Sequence, residues 1–230
     1  MRASLFLFSL CVLLNVCPVS AQNLVVYRTD GTQIVVPIDE IDSLCITPEQ
    51  PFEPTAVDLG LSVLWATCNV GAEKPTQVGD YFAWGEVTGK DEYSEDSYTY
   101  YQNGAYEHIG TNICSTQYDA ARAVWGSDWR MPNLIEINEL LNKCTWTATT
   151  QKGVAGYTVT GSNGNSIFLP SAGCYQGTTL MGAGTEGYYW SGSTTTTELS
   201  SAYNINFSGY TGKWMASRAY GFTIRAVRKK

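Results

Sequence analysis

The stretch WRMPNLIEINELLNKCTW (129–146) is the clearest helix in the chain, and its isolation constrains the fold more than any other feature. Leu134, Ile137, Leu140 and Leu141 recur at the spacing of one apolar stripe. Asn133 stands where a helix wants its N-cap, and Glu136, three residues on, completes a capping box. A second, shorter helix is expected at QYDAARAVWG (117–126), ending at Gly126. Around these two segments the chain reads as short strands and turns. AVDLGLSVLWATCNVGA (56–72) is a strand pair about Gly60, and VAGYTVTGSNGNSIFLPSAG (154–173) is a hairpin about Ser162-Asn163-Gly164-Asn165. GYYWSGS (187–193) and SAYNINFSGYTGKWM (201–215) are further strands, and YGFTIRAVR (220–228) closes the domain. Helices in the first half and short antiparallel strands in the second predict an α+β fold.

Two segments precede this domain. Arg2, the apolar run LFLFSLCVLL (5–14) and the small residues of VSA (19–21) have the order of a secretory signal peptide over 1–21. In LNVC (14–17), Val16 occupies the place where a lipoprotein box wants a small residue, which argues against lipidation at Cys17. NLVVYRTDGTQIVVPI (23–38) has two β-rich runs about Asp30-Gly31, followed by a third short strand within 39–47. Residues 22–47 therefore read as a small β element. PEQPFEPT (48–55), with three prolines, reads as a linker to a main domain over 56–230. No later stretch has the composition of a membrane helix, so the chain is not expected to be an integral membrane protein.

Charge narrows the partners. The formal net charge of −7 argues against nucleic acid and against anionic membrane surfaces. Charged residues are only 15% while aromatic residues are 13%, a balance suited to an exported, loop-rich protein pinned by large rings. Five cysteines lie beyond residue 21, at 45, 68, 114, 144 and 174, so at least one is left over in a monomer. Cys144 leaves the helical stripe pointing inward and Cys68 sits in an expected core strand; if a disulfide forms, this is the favoured pair. The alternative is that several are small buried hydrophobes.

VDLGLSVLWATCNVGAEKPTQVGDYFAWGE, WRMPNLIEINELLNKCTW, GNSIFLPSAG, GYYWSGS and YGFTIRAVR occur in that order. In this the chain resembles the Fibrobacter succinogenes major paralogous domain (FISUMP) family, over roughly 56–228. The resemblance implies an exported protein of a kind common in gut Bacteroidota. It also implies a C-type lectin-like fold with two short helices, two small antiparallel sheets and a long ligand-binding loop region. The family carries no defined biochemical activity, so the resemblance bears on fold and location.

The residues themselves narrow the chemistry. The formylglycine-generating enzymes that share this fold use a late cysteine pair, and no cysteine follows Cys174. His108, the single histidine, lies in a polar loop. Asp80 and Glu86, within GDYFAWGE (79–86), have the composition of a glycosidase pair. In an extended segment they would stand about 20 Å apart, too far for shared chemistry. They are read as turn carboxylates, with Glu86 expected to meet Arg130 or Arg225. Zinc-type clusters and the lectin calcium triplets are missing from the sequence, so no metal and no cofactor is expected. Planar rings stack on sugar faces. Tyr98 and Tyr101 in the polar loop 87–112, and Tyr175, Tyr210 and Trp214 beside glycine-rich turns, are the ligand-binding candidates, while Trp65, Trp84, Trp129, Trp146 and Trp190 are assigned to the core. The expected function is a secreted or cell-surface, non-enzymatic binding module for a glycan or a surface protein. A structural or assembly component of the bacterial envelope is the alternative, and an uncharacterised enzyme the third reading.

Overall fold

The computed structural model describes residues 23–27, 31–38 and 52–230. The chain divides into two units, Met1–Pro51 and Phe52–Lys230. In the first, β1 (Asn23–Tyr27) pairs antiparallel with β2 (Gln33–Pro37), from Asn23 opposite Pro37 to Tyr27 opposite Gln33. Gly31 takes a φ of +83° there. The signal segment 1–21, Cys17, Asp30, the strand expected within 39–47, Cys45 and the first residues of the proline-rich linker lie outside the described residues.

The second unit is mixed: mostly small antiparallel sheets, with two helices, and not a barrel. Strands β3 (Ala56–Asp58) and β4 (Leu64–Ala66) form the expected pair. The two-residue strands β5 (Tyr101–Gln102) and β6 (Ala105–Tyr106) make a minimal hairpin in the polar loop. Helix α1 (Ala120–Trp125) is capped by Asp119 and closed at Gly126. Helix α2 (Leu134–Lys143) carries the full capping box: Asn133 accepts from the Glu136 N–H, and Glu136 accepts from the Asn133 N–H. Ile137 and Leu140 are buried on its inner face, as the stripe predicts, and Ile135 on the other face is exposed.

After α2 come β7 (Thr145–Gln151), β8 (Val154–Thr160) and β9 (Ser166–Pro170) in one sheet, β8 central. Strand β7 has no counterpart among the strands expected from the sequence. Its turn to β8 uses Lys152 and Gly153, both at positive φ, the conformation a two-residue hairpin turn requires. Strands β10 (Cys174–Gln176) and β11 (Thr179–Met181) pair, and β12 (Gly187–Trp190), β13 (Ser201–Phe207) and β14 (Thr211–Ser217) form a three-stranded sheet. The stretch 201–215 is thus two strands folded at Gly209, not one. β15 (Val227–Arg228) adds to β4.

The closing segment 220–228 differs from the expected strand. Only Val227 and Arg228 join a sheet. Gly221, Phe222 and Thr223 make single bridges to Tyr175, Phe82 and Tyr189, and Val227 bridges to Arg130. The segment is a buried seam that several small sheets share, which explains why nearly every residue in it is inaccessible. Trp190 stacks on Phe222 at 4.2 Å, and Trp84 packs in the same cluster. Their indole N–H groups donate at 2.8 Å to the carbonyls of Phe82 and Ser191, so neither ring is buried with an unmet donor. Trp65, Ile137, Leu140 and Phe207 fill a second cluster. Among the described residues no helix is long and apolar enough to cross a membrane.

The Cys68–Cys144 bridge does not form. Cys68, Cys114, Cys144 and Cys174 are all free. Cys144 caps the end of α2 against the Trp65 cluster, whereas the Cys68 thiol turns to the Ala72 carbonyl at 3.1 Å, in a turn outside that cluster. The reading of these residues as small buried hydrophobes describes Cys68 and Cys174 well.

Candidate ligand-binding site

The segment GDYFAWGE splits along its length. Phe82, Ala83 and Trp84 point into the core, and Glu86 is buried behind them. The expected partnership of Glu86 with Arg130 or Arg225 is corrected: Glu86 pairs with Lys90 at 2.9 Å and accepts the Thr99 N–H at 2.8 Å. Arg130 is held instead by Glu136, and Arg225 by Asn69 and backbone carbonyls. Four residues separate Glu86 from Lys90, so a local fold-back satisfies it before any distant arginine can. Asp80 faces the other way. Its N–H donates to the Val70 carbonyl at 2.9 Å, and its carboxyl lies over Gly71. Gly71 has a φ of +80°, and a Cβ there would sit 2.3 Å from the Asp80 carboxyl, so only glycine leaves room for it.

Asp80 opens onto a cleft of about 350 Å³ lined by Tyr81, Lys90, Asp91, Tyr93 and Tyr175 among others. Three tyrosines build its wall. Tyr93 and Tyr175 stack with centroids 5.5 Å apart, and Tyr81 meets the Tyr175 ring edge-on at 4.9 Å. The backbone fixes this arrangement. Tyr93 and Gly177 exchange hydrogen bonds of 2.8 and 2.9 Å, sewing the polar loop to the end of β10, and Tyr175 exchanges bonds with Gly221 on the closing seam. The Tyr93 hydroxyl donates to the Tyr81 carbonyl at 2.6 Å, and the Tyr81 hydroxyl donates to the carbonyl of Ala172. Burial raises the pKa of both phenols above the ordinary value, so both remain neutral donors across the physiological range.

Polar groups complete the cleft. Lys90 is engaged by Glu86 and by the Ser97 carbonyl at 2.9 Å, with its ammonium 5.6 Å from the centroids of Tyr93 and Tyr98. Its charge is therefore balanced within the wall. Asp80 and Asp91 are exposed, and neither carboxylate has a hydrogen-bond or ion-pair partner among the described residues. The partly exposed Tyr81 and Tyr175 beside two free acceptors and a balanced cation suit a neutral, hydroxyl-rich ligand: the aromatic wall takes its apolar face, and the carboxylates take its O–H groups.

The candidate aromatics fall into different places. Tyr175 lines the cleft. Tyr98 does not serve as a loop contact: it is only 2% exposed and, unlike the equally buried Tyr93, it does not line the cleft. Its hydroxyl accepts from the Arg218 Nε at 2.9 Å and donates to the Trp84 carbonyl, which makes it a core residue. Tyr101 is half-buried against Tyr106, at 4.8 Å between centroids, and does not line this cleft. Tyr210 and Trp214 are exposed, at 62% and 45%, and meet at 5.7 Å across the β13–β14 hairpin as a protruding pair rather than a pocket. Tyr81, Tyr93, Asp80 and Asp91 were missed as site residues. The one signal for them is the clustering of Tyr and Asp in GDYF and KDEY; nothing local ties those stretches to Tyr175.

His108 is exposed. Among the described residues no group of three or more His, Cys, Asp or Glu side chains is arranged to hold a metal ion. Compared with known protein families, with curated proteins and with solved structures, the chain matches none.

Proposed function

We propose that the chain is an exported binding module of C-type lectin-like fold, akin to the FISUMP family, that takes a neutral glycan in the Tyr81–Tyr93–Tyr175 cleft. The observation that carries this reading is the pairing of a fixed aromatic wall with two unpartnered carboxylates in one concavity. The order of the sequence motifs, the signal-like leader and the combination of two helices with small antiparallel sheets support the fold and location it assumes. The glycosidase pairing of Asp80 with Glu86 is set aside, because one opens to solvent and the other is buried and ion-paired.

A glycan array followed by calorimetry on the best ligand tests it. Tyr175→Ala and the double substitution Asp80→Asn, Asp91→Asn should each weaken binding by about tenfold, the effect of losing one stacking face or a pair of charge-assisted hydrogen bonds. No bound glycan at millimolar concentration would sink the reading. Binding abolished by Tyr210→Ala with Trp214→Ala, but untouched by Tyr175→Ala, would move the site to the hairpin.

A further inference from the structure

A second concavity, of about 630 Å³, gathers Ser115, Arg122 of α1, Ser127 and Asp128 of the following turn, Arg228 of β15 and its neighbour Lys229. Arg130 and Lys230 also line it, but each is already neutralised. Arg130 grips the Glu136 carboxylate with both terminal nitrogens, and Lys230 pairs with Asp58 at 2.9 Å. The other three cations have no carboxylate partner among the described residues. Arg122 donates to the Ser127 carbonyl at 3.2 Å, and the Arg228 guanidinium lies 5.2 Å from the centroid of the Trp129 ring. Asp119, buried behind the wall, is engaged by the backbone N–H groups of Ser115, Arg122 and Met131. Asp128 is the one side-chain carboxylate on the lining. Three free side-chain cations against one side-chain carboxylate leave a local excess of positive charge in a chain whose formal net charge is −7. Repulsion among the three cations works against such a cluster, so a ligand that neutralises it is the natural complement.

We propose that this pocket binds an oxyanion, a sulfate or phosphate group, through Arg122, Arg228 and Lys229. Guanidinium groups present planar forks that match tetrahedral oxyanions, and the ammonium of Lys229 adds a point charge. The Ser115 and Ser127 hydroxyls, which have no hydrogen-bond partner among the described residues, supply neutral donors on the same lining. The group comes either as a free ion or as an ester on a saccharide; the chemistry of capture is the same. The site shares no lining residue with the tyrosine cleft and does not depend on a glycan binding there.

Calorimetry at low ionic strength, with inorganic sulfate, inorganic phosphate and a sulfated disaccharide as separate titrants, tests the proposal. At least one should bind with a dissociation constant of about 1 mM or tighter, and added salt should weaken it. Arg228→Gln with Lys229→Gln should weaken it by about tenfold, and Asp128→Asn should tighten it by about threefold, as expected when charges are removed beside an anion. The opposite sign of the Asp128 effect separates a binding role from a loss of folding. Tyr175→Ala should leave the affinity unchanged. A disaccharide bound far more tightly than either ion would identify the ester as the source, and equal affinities the free ion. No binding by any titrant at about 10 mM, or affinity indifferent to both the Arg228/Lys229 and the Asp128 substitutions, overturns the proposal.

Discussion

Two buried arginines organise the interior. Arg225 has no carboxylate partner among the described residues. Its guanidinium donates to the Asn69 side chain at 2.9 Å and to the carbonyls of Ala66, Thr67 and Phe168 at 2.8–3.1 Å. Burial pulls its pKa below the ordinary value, but an arginine stays charged regardless, and the ring of carbonyl dipoles replaces its water. Arg218 lies 4.8 Å from the Trp84 centroid and 5.4 Å from that of Tyr98, donating to the Tyr98 hydroxyl and to the carbonyls of Glu107 and Leu199. Its remaining terminal nitrogen has no partner among the described residues. Loss of the Tyr98 hydroxyl would therefore remove one of few acceptors around a buried cation. Tyr98→Phe should cost about 2 kcal/mol, because it strands a charged donor and leaves the Trp84 carbonyl unmet. Chemical denaturation measures this; a change below about 0.5 kcal/mol would return Tyr98 to the role of an ordinary loop residue. The sequence suggested that role because VTGKDEYSEDS is polar throughout, and the partner that buries Tyr98 lies 120 residues away.

At the scale of elements, α2 was readable and its attachment was not. Asn133 and Glu136 act within one turn, so their spacing alone declares the cap. Glu139 on the same helix instead reaches Ser62 in the β3–β4 turn. It accepts from the Ser62 N–H at 3.0 Å and from its hydroxyl, and it pairs with Lys143 at 2.7 Å. Lys143 first, then Ser62, hold its carboxyl down at about 2, below an ordinary 4.5. A carboxyl depressed by folding adds stability above its unfolded value and loses it as pH falls through the folded one. The loss therefore spans pH 4.5 down to about 2. Glu139 lies near the surface, where solvent screens the pair, so the effect is modest. Glu139→Gln should flatten the fall of melting temperature across that window; an unchanged acid limb would show that the helix-to-turn tie contributes nothing. The same contrast explains the missed β7. Its Lys152-Gly153 turn lacks the Asn-Gly or Asp-Gly signature, and tertiary context places a lysine at a φ of +48°.

For the molecule as a whole, the free thiols give the sharpest test. Burial pushes Cys114 up to about 12 and Cys174 up to about 11, and raises Cys68 and Cys144 as well. Thiolate is the reactive form, so at neutral pH these four should label slowly in the folded chain and quickly once it unfolds. Site-resolved mass spectrometry after alkylation reads this directly; a recovered Cys68–Cys144 crosslink, or fast native labelling of Cys114, would contradict the structure. The sequence by itself determined what local rules govern: two helices with their caps, strand pairs about glycine turns, tryptophans as core anchors and an acidic balance. Each depends on residues within a few positions of one another. Only the tertiary structure decided which tyrosines face solvent, which carboxylate is free and which cysteines stay apart. Those outcomes hang on the seam at 220–228, which bridges Phe82, Tyr175, Tyr189 and Arg130 in one passage. GDYFAWGE shows the division within eight residues: its aromatic middle was assignable from composition. Asp80 is left open and Glu86 closed because Lys90 folds back on one and Gly71 makes room for the other.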